Sequence, residues 1–156
     1  MTSLLEELRQ TRPFASLEEE ALLSIVRTNA VLLDEFELFL RPYGITTTQY
    51  NVLRILRGSE PEGLCRNDLR DRMLTRMPDV TRLLDRMQEA GLVTRERGDS
   101  DKRMVTTRVT KKGLELLATL DPIVRDRHRE YFRGVTPDQL KVLIGLLEGV
   151  RDSARG

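Results

Sequence analysis

Two arginines at helical spacing, Arg82 and Arg86, have the clearest chemical use in this sequence. They lie in the stretch 78–90, whose apolar residues recur on the opposite side of a helix: Val80, Leu83, Leu84 and Met87. A helix of this kind buries its apolar stripe and turns both guanidinium groups outward, where each can bind a phosphate or donate two hydrogen bonds to a guanine. The alternative is an ordinary surface helix in which these arginines form ion pairs with Asp85 and Glu89.

A second group of charged residues, 101–103, begins at the end of the turn-forming stretch 98–101. Asp101 precedes Arg103 by two residues, with Lys102 between them, so its carboxylate can hold the guanidinium group through a pair of hydrogen bonds. An arginine oriented in this way is attracted to the negative potential of a narrow minor groove. The alternative is that Asp101 and Arg103 form an ion pair across a solvated turn.

The basic residues are concentrated in the middle of the chain. In total, 26 Lys and Arg against 25 Asp and Glu give a net charge of +1, but residues 1–65 carry 6 basic and 10 acidic side chains. Residues 66–112 carry 13 basic and 8 acidic side chains, and residues 113–156 carry 7 of each. The three segments therefore have net charges of −4, +5 and 0. This distribution indicates a polyanionic partner such as nucleic acid, the alternative being a charged and solvated surface.

Enzyme and metal chemistry have little support in the sequence. The single cysteine, Cys65, excludes an intramolecular disulfide and a multi-cysteine zinc or iron–sulfur site, and the single histidine, His128, has no recognisable nucleophile or carboxylate partner. We therefore expect no catalytic residue, no cofactor and no metal. We expect Cys65 to be a small cap residue at a helix start and His128 to be a solvated helix residue, the alternative being a redox-active Cys65 beside Arg66.

Length and hydropathy predict a single cytoplasmic domain. The 156 residues are 39% hydrophobic and 33% charged, which provides a core under a highly charged surface. No apolar run approaches the ~18 residues of a membrane span, and residues 1–10 lack the basic start and apolar centre of a signal peptide. We therefore expect a cytoplasmic protein with no membrane partner.

The elements that must position these charges are mostly helices with clear start signals. Ser16 and Glu19 form a capping-box pattern at the start of a long helix that ends at 42–44, and Thr46 and Thr136 begin two further helices in the same way. The remaining predicted elements are a short helix at 66–73, a helix at 78–90, strands at 92–97 and 103–109, and a helix from about 110 to 131. Two helices joined by a turn and followed by a hairpin make a winged helix-turn-helix.

Four short runs of this sequence resemble the MarR family of bacterial transcription regulators. They are VTRLLDRM at 80–87, GLV at 91–93, DKR at 101–103 and VTKKG at 109–113. The resemblance extends over most of the chain and includes the long first helix and the capped last helix. It implies a mainly α fold with a small β-hairpin wing (α+β), that is, a winged helix-turn-helix with N- and C-terminal dimerisation helices.

The resemblance also implies a mode of action. Two copies of the chain would place their recognition helices, 78–90, in successive major grooves of a near-palindromic operator in double-stranded DNA. The residues that match the family's recognition-helix contacts are Arg76, Pro78, Asp79, Thr81, Arg82 and Arg86, and those that match its wing contacts are Asp101, Lys102 and Arg103. In the wing, Arg103 would enter the minor groove and Asp101 would orient it.

The expected organisation is a single MarR-like chain, 1–156, with a DNA-binding lobe at 46–110 and a helical dimerisation region at 1–45 and 111–156. The terminal helices have more apolar residues than one small lobe can cover, which predicts a homodimer. The residues expected in the interface are Leu22, Leu32, Phe36, Leu140, Leu143, Ile144 and Leu147. The alternative is a monomer with a helical lid.

The expected function is sequence-specific transcription regulation, as a repressor that a small aromatic or phenolic effector releases from DNA. Phe39, Tyr43 and Tyr50 lie either in the core or in a cleft for this effector, whose contact residues the sequence leaves unknown. A competing function is a protein-interaction module on a winged-helix scaffold without DNA binding. Such a module would not explain why the segment 66–112 has a net charge of +5. A small hydrolase would need a nucleophile–base pair that we do not find.

Overall fold

A computed structural model of the chain describes residues 3–75, 78–97 and 105–156. The fold is mainly helical with a small antiparallel sheet, which confirms the predicted fold class. Contacts divide the chain into two compact units, Met1–Leu114 and Glu115–Gly156. The helices are α1 (Leu4–Glu7), α2 (Leu17–Leu40), α3 (Thr47–Arg57), α4 (Arg66–Arg72), α5 (Val80–Glu89), α6 (Lys111–Tyr131) and α7 (Pro137–Arg155). The strands are β1 (Leu64–Cys65), β2 (Val93–Arg97) and β3 (Val105–Val109), and a 3₁₀ turn, Arg41–Tyr43, follows α2.

Side-chain caps begin the helices as predicted, with one difference in detail. At α2 the hydroxyl of Ser16 accepts a hydrogen bond from the Glu19 backbone N–H at 3.2 Å. The Glu19 carboxylate accepts from the Ala15 N–H instead of the Ser16 N–H, so the predicted capping box is only half formed. Thr46 and Thr136 both form complete capping boxes. The short helix α1 was not predicted from the sequence.

The start of α5 corrects the sequence prediction. The helix was predicted to begin at Pro78, but it begins at Val80, and Asp79 is its N-cap residue. Asp79 Oδ1 accepts a hydrogen bond from the Arg82 N–H at 3.0 Å, which satisfies one of the free N–H groups of the first turn. Pro78 therefore lies before the helix.

The sheet has three strands where two were predicted. The strand order is β1-β3-β2, and both pairs are antiparallel. Thr107 of β3 lies opposite Leu64 of β1 on one side and opposite Arg95 of β2 on the other. Gly63, just before β1, has φ +71°, and a Cβ there would lie 2.6 Å from the Thr107 carbonyl oxygen, so the approach of β1 to β3 requires glycine.

A compact apolar core holds α5 against the sheet and the neighbouring helices in the first unit. All four residues of the predicted apolar stripe are buried: Val80, Leu83, Leu84 and Met87. Residues of the other elements of this core are buried to the same degree: Val52, Leu53, Leu56, Leu69 and Val93. This burial fixes which side of α5 is turned outward.

Two long helices leave apolar side chains exposed. In α2 only Leu40 is buried, and Leu17, Leu22, Val26 and Leu38 are each more than half exposed. In α7 no residue is buried, although Val142, Ile144 and Leu146 are apolar. None of the helices in the described part of the chain is long and apolar enough to cross a membrane.

Candidate nucleic-acid interface

The exposed side of α5 carries the two arginines that the sequence predicted. Arg82 and Arg86 are one turn apart, and both are exposed. The Arg82 side chain is 77% exposed, and its Nε lies 3.4 Å from Asp79 Oδ2. An ion pair this exposed contributes little to stability and leaves most of the guanidinium group accessible. Both arginines are thus available to a partner.

Three more predicted contact residues lie at the start of α5, and all three are exposed. Pro78 precedes the helix, Asp79 caps it, and Thr81 lies in its first turn. The hydroxyl of Thr81 accepts a hydrogen bond at 3.3 Å from Arg66 Nη1, which belongs to the first residue of α4. Asp79 and Thr81 therefore have structural partners in addition to the contacts predicted for them.

The other predicted residues lie outside the described part of the chain. They are Arg76, between α4 and α5, and Asp101, Lys102 and Arg103, between β2 and β3. The two strands that flank the hairpin tip are described, and they pair from Val93 with Val109 to Arg97 with Val105. The contacts proposed for these four residues stay predictions.

The role of Arg95 was not predicted from the sequence. This residue lies in the middle of β2, and its guanidinium group contacts α5. Its Nε donates to Gln88 Oε1 at 2.7 Å, and its Nη2 donates to the carboxylate of Asp85. Ion pairs of Asp85 along α5 belonged to the alternative interpretation of this helix, but the partner of Asp85 comes from the neighbouring strand. The available signal was that Arg95 follows the apolar Val93 by two residues and so shares its face of the strand.

A cavity of about 400 Å³ lies beside α5 in the same unit. Arg66, Thr81 and Arg95 are among its lining residues, together with Cys65 and Leu84. The cavity therefore has two arginines on its wall, of which Arg95 is paired with Asp85.

Cys65 and His128 have the structural surroundings that the sequence predicted. Cys65 is the N-cap of α4, where its Sγ accepts from the Asp68 N–H at 3.5 Å. His128 is exposed on α6, and its ring centroid lies 6.5 Å from that of Tyr131. Among the described residues, no group of three or more His, Cys, Asp or Glu side chains is placed to hold a metal ion.

The aromatic residues that were candidates for an effector cleft contact one another. The rings of Phe36 and Phe39 stack with centroids 5.7 Å apart, Tyr50 meets Phe36 edge-on at 5.6 Å, and Tyr43 lies 6.1 Å from Phe39. Tyr50 is buried. This packing favours the core interpretation of Tyr50 over the cleft interpretation.

Comparisons with known proteins agree with this geometry. A family model described as MarR family matches residues 43–104. The uncharacterized HTH-type transcriptional regulator YkoM of Bacillus subtilis (strain 168) is 32% identical over 108 residues, which are 69% of this chain and 69% of YkoM. The MarR transcription factor from Planctomyces limnophilus is 37% identical, with a TM-score of 0.68 over 87% of this chain and 98% of that one.

A DNA complex is also among the similar structures. The S. aureus MepR–DNA complex is 20% identical to this chain, with a TM-score of 0.77 over 84% of this chain and 96% of MepR. At this identity the likeness is one of fold.

Proposed function

The chain belongs to the MarR family of transcription regulators, and on that basis we propose that it acts as a homodimer that binds a near-palindromic operator in double-stranded DNA. In this proposal α5 is the recognition helix and lies in the major groove, and the tip of the β2–β3 hairpin is the wing and reaches the adjacent minor groove. The fold that the chain shares with DNA-bound MepR supports this arrangement. We propose no catalytic role, because the family consists of regulators.

The proposal rests on the difference between the two sides of α5. One side of the helix is buried, and the other presents Arg82 and Arg86. A recognition helix needs both properties, since the buried side sets its position and the exposed arginines bind phosphates or base edges. In our proposal Arg76, Pro78, Asp79 and Thr81 add contacts at the start of this helix. Arg103, oriented by Asp101 and next to Lys102, adds the wing contact.

The exposed apolar residues of α2 and α7 support the homodimer. A 19-residue helix with no buried residue, such as α7, gains little stability from packing within its own chain. A second copy would cover Ile144 and its neighbours and offer the same surface in return, as a twofold interface requires. Residues 46–110 would then form the DNA-binding lobe, and residues 1–45 and 111–156 the dimerisation region. Two lobes about 34 Å apart would match one turn of B-DNA.

We further propose that a small aromatic or phenolic acid releases the protein from DNA, as expected of a repressor. The cavity lined by Arg66 and Arg95 supports an anionic effector, because its volume of about 400 Å³ suits a small molecule and the guanidinium group of Arg66 suits a carboxylate. Thr81 lines the same cavity, so an effector there would contact the recognition helix. A thermal-shift screen of aromatic acids tests this part of the proposal.

The competing function is a protein-interaction module without DNA binding. The two functions are separated by selecting duplexes from a random pool with the wild-type protein and then measuring fluorescence anisotropy over a range of salt concentrations. A DNA-binding dimer enriches a near-palindrome, and its affinity falls steeply with salt because phosphate contacts release counterions. Failure to enrich any duplex, even at low salt, would favour the interaction module.

A further inference from the structure

Arg95 lies in the middle of β2, and its side chain extends to α5 instead of ending in solvent. Residues two apart on a strand share a face, so Arg95 lies on the same face of β2 as the buried Val93. Its side chain is 25% exposed. The guanidinium group ends at α5, where it donates to Gln88 and to Asp85.

These contacts restrain the recognition helix in two directions. Asp85 and Gln88 are about one turn apart, and a planar guanidinium group that donates to both opposes rotation and sliding of the helix. One turn before Asp85, Thr81 accepts a hydrogen bond from Arg66. A single stripe of α5 is thus held by arginines from α4 and β2.

The restrained stripe of α5, which contains Thr81 and Asp85, lies next to the exposed stripe that carries the two arginines. Arg82 and Arg86 each follow a restrained residue by one position, which is about 100° around the helix. Any rotation of α5 therefore moves both exposed guanidinium groups sideways. A hydrogen-bonded pair with a base edge tolerates such movement less than a contact with a phosphate does, because its two bonds must be aligned together.

We propose that Arg95 is a positioning residue for DNA recognition, which holds Asp85 and Gln88 and thereby sets the angle at which Arg82 and Arg86 meet the bases. The inference rests on the proposed function, since it concerns the selectivity of that same interface. It assigns Arg95 an effect on the choice between sequences without a contact to DNA. Loss of Arg95 is therefore expected to lower specific affinity much more than non-specific affinity.

The test measures dissociation constants of the wild type and of the variants Arg95→Ala and Asp85→Ala. Each protein is titrated against the duplex that the wild type selects and against a scrambled duplex of the same composition, at several salt concentrations. We expect both variants to bind the selected duplex about tenfold or more weakly, and the scrambled duplex no more than about threefold more weakly. We expect the slope of log affinity against log salt to stay as in the wild type, because no phosphate contact is lost.

Asp85→Ala, which removes both the charge and the acceptor, separates positioning from simple electrostatics. The substitution removes a negative charge from a DNA-binding helix, which by Coulomb's law strengthens binding to any duplex. Weaker binding to the selected duplex therefore has to come from the lost bond to Arg95. Arg95→Lys keeps the charge but not the planar fork, and we expect it to restore only part of the selectivity.

Arg97→Ala is the matched control. It removes the same charge from the same strand, and Arg97 is exposed with no bond to α5 in the described part of the chain. Its ratio of selected to scrambled affinity is expected to equal that of the wild type. Melting temperatures of all variants, recorded without DNA, identify any variant that fails to fold. If Arg95→Ala does not fold, the Asp85→Ala and Arg95→Lys variants test the inference in its place.

The outcomes distinguish the inference from the function on which it rests. A wild type that selects no duplex would overturn both. A wild type that selects a duplex, with an Arg95→Ala variant that loses affinity equally for both duplexes and has a salt slope smaller by about one, would overturn the inference alone. That result would identify Arg95 as a phosphate contact.

Discussion

Two acidic residues, Asp79 at the N-cap of α5 and Asp85 within the helix, have different partners although both lie near arginines in the sequence. Asp79 caps the helix and pairs with Arg82 three residues later. Asp85 pairs with Arg95, ten residues away on β2. The first partner could be predicted from capping rules. The second could not, because it depends on how the strand packs against the helix, which local spacing does not encode.

Arg103→Ala tests the wing contact at the residue scale. We expect the variant to bind the selected operator more weakly by at least about 1 kcal/mol, because an arginine in the minor groove is lost. Fluorescence anisotropy with labelled operator measures the change. Arg125→Ala, which removes the same charge from α6, is the control and should leave the dissociation constant nearly unchanged. An unchanged dissociation constant for Arg103→Ala would reject the wing assignment.

At the scale of elements, the N-cap residue Asp79 is expected to stabilise α5, the proposed recognition helix. Asp79→Ala removes the acceptor of the Arg82 N–H, and an N-cap substitution of this kind costs about 1 kcal/mol of unfolding free energy. Asp79→Asn keeps an oxygen acceptor and is expected to unfold like the wild type. Urea denaturation followed by circular dichroism measures both variants. Equal losses in the two would show that the charge matters and the cap does not.

The start of α6 depends on a glycine that the sequence analysis did not single out. A Cβ at Gly113 would lie 2.6 Å from the Leu92 carbonyl oxygen and 2.7 Å from Val109 Cγ2. The Leu92 carbonyl is fixed by a hydrogen bond from the Thr110 N–H at 3.0 Å, so it cannot move aside easily. The close approach thus requires a residue without a side chain.

Gly113→Ala is expected to destabilise the fold. Overpacking costs about 1–3 kcal/mol, which exceeds the gain of about 1 kcal/mol in helix propensity. Gly58→Ala is the control, because a Cβ there meets only ordinary contacts at 3.6 and 3.7 Å. Thermal unfolding compares the two, and a Gly113→Ala variant as stable as the wild type would contradict the packing argument.

The elements that the sequence predicted best are those with a local signal. Thr46 and Thr136 begin their helices as predicted because a cap and its partner are only three residues apart. The strand β1 was missed because two residues are too few to show an alternating pattern. It exists through pairing with β3, about 40 residues later in the chain, which only the folded structure reveals.

At the scale of the whole molecule, the homodimer predicted from the apolar terminal helices stays a proposal that mutation can test. Ile144→Glu places a charge on the exposed apolar side of α7, where burial against a second copy would make it costly. We expect the wild type to have twice the chain mass of 18.0 kDa by light scattering, and the variant to shift toward one chain mass. Ser153→Glu, at an exposed polar position of the same helix, should leave the dimer intact. A monomeric wild type would contradict the homodimer.

The distribution of charge along the chain could also be determined from the sequence alone. The +5 segment contains α4, α5, β2 and β3, and these are the elements that face DNA in our proposal. The hydrogen bond from Arg95 to Gln88 of α5 could not be predicted from the net charge of this segment. A net charge shows which segment is basic, but it does not show which basic side chains bond to other residues of the protein.

Hydroxyl-radical footprinting of the wild-type protein on its selected duplex tests the central claim most directly. Two lobes of one dimer should protect two patches related by a dyad, with centres about 10 base pairs apart on one face of the helix. A single unsymmetrical patch, or no protection on any duplex, would contradict the account.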